Sequence, residues 1–408
     1  MKLKYSPLIL IAFVMAIVLG ACSKKDEPDM TVELRQSTLL YAVNLNSLYE
    51  DLTLNISQIT QAMTQLPNGE YNLYVFKTDD PTTYGLYKIT SGPKAEMTLV
   101  RNYKRDKYAT NPAQLRKVIN EFLSYDLKVP VRNMILWGHG TAWFPHFSDH
   151  VMPASSHSNS PQQGDFPENH AYGGDNYSRD WMDIHELAQA IPSNVFDMIL
   201  FDCCYMSNIE CVYQLRNKSK YLIGYPTEII DTGLPYHSVL PHIFKPEPAY
   251  VEAAQEIFNL YDSRNWPVTV AVMDMSKLPE MVASAKKIIK LLSYQERSWG
   301  KDNKLNTRYY PSTSGRLDYG RWLPAPLYDF GNMLKDISDA NERPEYYEEF
   351  LVPFNEFMIY RKASERDFKG QYIPQDQFHG ISSHLFMDSG SDIDEYYKTL
   401  DWYKAVYK

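Results

Sequence analysis

Cysteine is scarce in this chain: four residues in 408. Three of them, Cys203, Cys204 and Cys211, cluster in one short stretch, which is not the pattern of a disulfide framework. No C-x-x-C pair with matching histidine spacing is present, so a structural zinc site has no support. His146, His150, His157 and His170 share one segment, but their spacings fit no metal-ligand pattern either. No acidic loop has the period of a calcium site, so no cofactor is expected. An excess of positive charge is also missing: 41 Lys and Arg stand against 50 Asp and Glu, a formal net charge of −9. That balance argues against a nucleic-acid partner and gives no push toward anionic lipid; it is compatible with basic substrates. No internal repeat of fixed period occurs. What is plentiful is apolar residues, 44% of the chain, enough for a sizeable core.

The first residues read as a leader. Lys2 and Lys4 precede an apolar run at 8–20, LILIAFVMAIVLG, too short for a comfortable membrane span. It ends in Leu19-Gly20-Ala21-Cys22, which resembles a bacterial lipobox. The resemblance implies a lipoprotein signal peptide at 1–21, cleavage before Cys22 and lipidation of its thiol. An ordinary signal peptide with an incidental cysteine is the plainer alternative. Residues 22–32 then form a charged tether, whose stretch SKKDEPD at 23–29 has no core-forming residues. Ser23 suggests transfer to the outer membrane, periplasmic or surface-facing, with the lipid as the only membrane contact. With Cys22 acylated, an odd number of cysteines remains and a free thiol is expected.

From about residue 33 strands and helices alternate. Strands are predicted at 37–43, 71–77, 85–91, 131–137, 196–202, 220–225, 268–274 and 379–386. Helical spacing marks 45–66 and, capped by Asn111 with Pro112 just inside, 111–126. Asp183 with Glu186 makes a capping box for a helix to Ile191. Met206, Ile209, Val212 and Leu215 recur every three residues, which predicts a helix directly after Cys204. Further helices are expected at about 277–298, 328–341, 346–363 and 392–407. The stretch 144–180, rich in Ser, Pro, Asn, Gly and His, reads as a long loop. The alternation implies an α/β fold: a mostly parallel sheet with helices on both faces. One catalytic domain spans 33–275, and 276–408 forms a C-terminal α/β extension packed on it, because no long linker separates the two.

Two segments carry chemistry. MILWGHG at 134–140 and MILFDCCYM at 198–206 are short apolar runs, each breaking at a reactive side chain. Such runs read as buried parallel strands, and open α/β sheets place their sites beyond the carboxyl ends of the strands. A single histidine or buried cysteine is ordinarily a packing residue. His139 and Cys204 ending neighbouring strands is what points to a cysteine nucleophile with a proton shuttle. Adjacent strand side chains face opposite ways, so only one of Cys203 and Cys204 faces the crevice. The helix expected after Cys204 would lower its pKa through the dipole. The amide of Gly140 is a candidate oxyanion donor. Cys211 reads as core.

WGHG and FDCCYM resemble the His-Gly and Asp-x-Cys blocks of the clostripain family, caspase-like cysteine peptidases related to legumain, gingipain and separase. TLLYAVNLNSL at 38–48, AYGGDNYSRDWMDIHELAQAI at 171–191, IGYPTEIIDTGLPY at 223–236 and HGISSHLF at 379–386 resemble further blocks. The resemblance implies a caspase-like fold, His139 as catalytic histidine, Cys204 as nucleophile and cleavage after Arg or Lys in protein or peptide substrates. Some relatives depend on calcium, which this sequence does not support. A long basic side chain needs a carboxylate at its pocket floor. Asp202 is the leading candidate, its alternative being a cap on the following helix; Asp231 and Glu228 are weaker ones. Members can be activated by self-cleavage near 144–180, where Arg179 is the sole Lys or Arg between Phe144 and Asp180. His185 stands where the family commonly has an acid. Two other functions compete. One is a catalytically inactive peptide- or glycan-binding surface lipoprotein on the same scaffold, with 32 Tyr and 7 Trp as stacking platforms. The other is transpeptidation onto an amine.

Overall fold

Residues 33–144, 172–174, 181–292, 327–366, 372–386, 388, 390 and 392–408 are described by a computed structural model. The strands in chain order are β1 (Gln36–Ala42), β2 (Tyr71–Asp80), β3 (Thr83–Thr90), β4 (Thr98–Lys104), β5 (Val131–Trp137), β6 (His139–Gly140) and β7 (Tyr172–Gly173). They continue with β8 (Trp181–Met182), β9 (Phe196–Asp202), β10 (Ser219–Gly224), β11 (Thr269–Asp274), β12 (Tyr328–Asp329), β13 (Met358–Ala363) and β14 (Ser382–Ser383).

Nine of these form one sheet in the order β13-β11-β10-β9-β5-β1-β2-β3-β4. The middle five, β10-β9-β5-β1-β2, are parallel, while β3 and β4 on one side and β11 and β13 on the other are antiparallel. The expected parallel sheet is therefore present at the centre, with antiparallel wings. The chain runs outward from β1 in both directions, so the order reverses between β1 and β5. That switch point opens a crevice at the carboxyl ends of the strands.

The central strands are apolar without interruption because both faces are covered. Leu39, Tyr41, Met134, Leu136, Ile199 and Phe201 enter one core, and Leu40, Ala42, Ile135, Trp137, Met198 and Leu200 the other. Helix Tyr49–Gln65 covers the second face together with Tyr236–Ile243 and Tyr250–Ser263; Pro112–Tyr125, Leu278–Ile289 and Phe330–Ala340 cover the first. Each fully buried large aliphatic or aromatic side chain contributes about 1.5–3 kcal/mol.

Local signals decide the helix starts. Asn111 accepts from the Ala113 amide ahead of Pro112, and Asp183 with Glu186 makes the expected capping box. Other expectations are corrected. The stretch 346–363 is not one helix: it is helical over Pro344–Phe357 and then becomes β13, because the edge of β11 offers backbone pairing. Only Ser382–Ser383 of the block 379–386 is strand, and 392–407 divides into Asp392–Tyr397 and Asp401–Val406. Helices Tyr236–Ile243 and Tyr250–Ser263 were not foreseen, since Pro235, Pro241, Pro246 and Pro248 obscure their period. β4 was missed because it is mostly exposed and shows no apolar alternation. Among the described residues no helix is long and apolar enough to cross a membrane. Cys22, most of the loop 144–180 with its four histidines, and Arg179 lie outside the described residues.

Candidate active site

β5 and β9 lie side by side, with Trp137 opposite Asp202. Beyond Trp137 the Gly138 amide donates to the Asp202 carbonyl at 3.3 Å. His139 and Gly140 then form a small antiparallel ribbon with β7 and β8. Gly140 is where this ribbon meets the nucleophile segment. A Cβ there would collide with the Cys204 carbonyl oxygen and come within 2.9 Å of the Cys203 Cβ. The glycine is thus buried behind Cys204, and its neighbour His139 reaches the cleft.

The two thiols separate as alternation requires. Cys203 is buried in the core and its thiol donates to the Leu136 carbonyl at 3.0 Å. Cys204 is partly buried, and its sulfur accepts the Ile229 amide at 3.4 Å. Cys211 is fully buried. The three described cysteines are unbridged.

The expected helix start at Cys204 is corrected. Tyr205 takes a positive φ of 61°, and the chain then hooks back onto the exit of β10, with Tyr205 and Ser207 amides donating to Thr227 and Tyr225 carbonyls. The helix begins only at Ile209, capped by Asn208. Asp202 is therefore not its cap, and its dipole does not end on Cys204. Burial instead pushes the Cys204 thiol up to about 12; the Ile229 amide opposes this, and the Glu228 and Asp202 charges add to it. Burial also pushes the His139 imidazole down to about 4. At neutral pH the pair is a neutral thiol and a neutral imidazole. The imidazole Nε2 lies 3.2 Å from Ser47 Oγ, and its ring lies 6.1 Å from that of Trp181.

Asp202 is buried at the end of β9. Its Oδ2 accepts the Tyr236 hydroxyl at 2.7 Å and the Leu234 amide at 3.3 Å, while Oδ1 has no hydrogen-bond partner among the described residues. Burial raises this carboxyl to about 6 against the pull of those two donors. The loop supplying Leu234 turns at Gly233, whose φ is +68°; a Cβ there would lie 2.7 Å from Asn55 Oδ1. Asn55 in turn accepts the Trp137 indole N–H at 2.8 Å and donates to the Thr232 carbonyl at 2.8 Å. Strand end and loop are thereby held by one buried amide.

These pieces enclose a cleft of 520 Å³ whose wall includes Leu48, Trp137, Gly138, His139, Asp202, Cys204, Glu228, Ile229, Ile230, Asp231 and Gly233. The sequence-predicted His139, Cys204, Asp202, Asp231 and Glu228 all line it. Asp231 is exposed at the rim and Asp202 is deep. Sequence reasoning missed Ser47, Asn55, Ile229 and Tyr236. Ser47, Ile229 and Tyr236 lie inside stretches that resemble family blocks, while Asn55 carried no signal. Among the described residues no three His, Cys, Asp or Glu side chains are grouped to hold a metal ion.

A parallel sheet with a thiol, an imidazole and a buried carboxylate at the carboxyl ends of β5 and β9, beside its switch point, defines a cysteine peptidase of caspase-like architecture. The sequence profile of the clostripain family matches residues 40–408, and the chain belongs to that family. The fold matches the solved structure of an inactive zymogen protease from Parabacteroides distasonis, with TM-score 0.71, 23% identity, and coverage of 92% of this chain and 99% of that one. It also matches a secreted cysteine protease from Bacteroides thetaiotaomicron in complex with an irreversible peptide inhibitor, with TM-score 0.71, 21% identity, and coverage of 91% and 99%. No curated protein sequence matches.

Proposed function

We propose that this cysteine peptidase is a lipid-anchored endopeptidase that cleaves after Arg or Lys through a His139–Cys204 dyad. His139, neutral at working pH, takes the Cys204 proton as the sulfur attacks the scissile carbonyl. The resulting imidazolium protonates the leaving amine, and water then resolves the acyl-enzyme. Oxyanion donors in this reading are the amide of Cys204, on the cleft wall, and that of Gly140, which packs behind the nucleophile segment and is not itself on that wall. With both groups neutral at rest, the thiolate forms as the Cys204 proton passes to His139 during the attack.

The single observation that carries the specificity is the unpaired, buried Oδ1 of Asp202 on the wall shared with Cys204. A buried carboxylate oxygen without a donor is costly, and a guanidinium or ammonium inserted beside it supplies the donor and the counter-charge. Asp231 and Glu228 add negative potential at the mouth. Cys22 carries the anchor in this reading and places the enzyme at the outer membrane. Purified 23–408 incubated with a mixed peptide library, with products read by mass spectrometry, tests the proposal. Cleavage confined to bonds after Arg and Lys is the expected result; cleavage after other residues, or none, overturns it.

A further inference from the structure

The dyad leaves one question of proton placement. A neutral imidazole has one protonated and one bare ring nitrogen, and only the bare one accepts a proton. Nε2 of His139 is occupied by Ser47, 3.2 Å away. Burial is what lowers the His139 imidazole. Among the described residues the serine hydroxyl is its side-chain hydrogen-bonding partner.

The loop that presents this hydroxyl is built with unusual care. After β1 ends at Ala42, the Val43 amide donates to the Trp137 carbonyl at 3.0 Å, so the loop leaves the sheet beside the end of β5, two residues before His139. Asn44 is buried and grips β2 through both side-chain atoms: Nδ2 to the Thr78 carbonyl at 3.3 Å, and Oδ1 from the Thr78 amide at 2.8 Å. Asn46, also buried, donates to the Val43 carbonyl at 3.0 Å and to the Gly174 carbonyl at 2.7 Å, and accepts the Leu48 amide at 2.9 Å. Gly174 directly follows the residue that pairs with His139 in the ribbon. Asn46 therefore ties the serine loop and the histidine ribbon to each other. Two buried asparagines with their polar atoms satisfied fix an exposed residue between helix and strand, and that residue is the one touching the imidazole.

We propose that Ser47 is a positioning residue that accepts the Nε2–H of His139 and so holds the lone pair on Nδ1, the nitrogen that takes the Cys204 proton. In the transfer, the S–H bond of Cys204 breaks, an Nδ1–H bond forms, and Nε2–H stays donated to the Ser47 oxygen throughout. The opposite arrangement, with Ser47 donating to a bare Nε2, would tie up the basic nitrogen. The assignment rests on His139 being the proton acceptor of the proposed function.

Ser47 is exposed, so its replacement leaves packing intact. The test uses protein with ¹⁵N-labelled histidine, whose ring-nitrogen shifts report the tautomer without substrate. In the wild type at pH 7, His139 is expected as the Nε2–H form. Ser47→Ala is expected to move it to a mixture with the Nδ1–H form and to lower kcat on a basic peptide about tenfold with KM unchanged. Ser47→Thr, which keeps the hydroxyl, restores both. A wild-type His139 protonated on Nδ1, or a Ser47→Ala spectrum identical to wild type, overturns the proposal. Because the spectrum needs no turnover, an enzyme inert toward basic peptides would sink the proposed function while leaving this assignment to stand or fall on its own.

Discussion

Replacing Asp202 by Asn is expected to cost activity and to raise stability. Burial raises the carboxyl from an ordinary 3.8 to about 6, so the folded state prefers the protonated form. The stability this group contributes is complete below about 3.8 and is lost as pH rises through 6. A shift of about two units corresponds to about 3 kcal/mol withheld from the fold at pH 7.5. Asn keeps an acceptor for the Tyr236 hydroxyl and the Leu234 amide, so Asp202→Asn recovers most of that and melts on the order of 5 °C higher. The gap closes below pH 4. Function moves the other way. A carboxylate about 4 Å from a guanidinium gains about 4 kcal/mol at an effective dielectric of about 20. After desolvation of the incoming cation about 3 kcal/mol remains, a loss of roughly 150-fold in kcat/KM on an Arg substrate. The wild-type kcat/KM on that substrate falls as pH drops through 6, and the variant lacks this limb; His139, at about 4, titrates below it. Thermal melts at pH 4 and 7.5 with kinetics across pH 4–8 measure all of this. Parallel pH–rate profiles, or a variant less stable than wild type at pH 7.5, would refute the reasoning.

Three further substitutions have expected outcomes. Cys204→Ala abolishes peptide cleavage, while Cys203→Ala, which loses one buried hydrogen bond to Leu136, costs about 1 kcal/mol of stability and keeps most activity; a dead Cys203→Ala with an active Cys204→Ala would show that the register is wrong. Gly140→Ala drives a methyl into the Cys204 carbonyl and is expected to lower kcat at least about 100-fold with circular dichroism unchanged; activity within a few-fold of wild type would show that the close approach is dispensable. Glu210, fully buried and raised to about 7, accepts from Ser383 Oγ, the His384 amide and the Tyr397 hydroxyl through one oxygen. Its stabilising contribution is full below about 4.5 and is lost as pH rises through 7, so Glu210→Gln is expected to flatten the fall in melting temperature between pH 4.5 and 7. An unchanged slope would count against it.

Much of the centre of this fold is legible in the residue order. β1, β5 and β9 are continuous apolar runs because both faces of the sheet are covered, and no partner is needed to recognise them. β4 and β13 are strands only because β3 and β11 offer an edge, which is why one was missed and the other read as helix. The reactive residues follow the same division. His139, Asp202 and Cys204 stand where apolar runs end, and parallel sheets put such ends at the crevice. Ser47, Asn55, Ile229 and Tyr236 come from loops and helices that reach the crevice only through the strand order; three of them sit in stretches that resemble family blocks, but nothing local singles out the individual residue.

Sequence by itself determined which strands form the middle of the sheet, that a thiol and an imidazole end two of them, and to which family the chain belongs. Tertiary structure decided their chemical state. The turn at Tyr205 takes the helix away from Cys204, and burial then keeps the thiol protonated and the imidazole neutral. Desolvation depends on everything packed around a group, and no local stretch of residues encodes that.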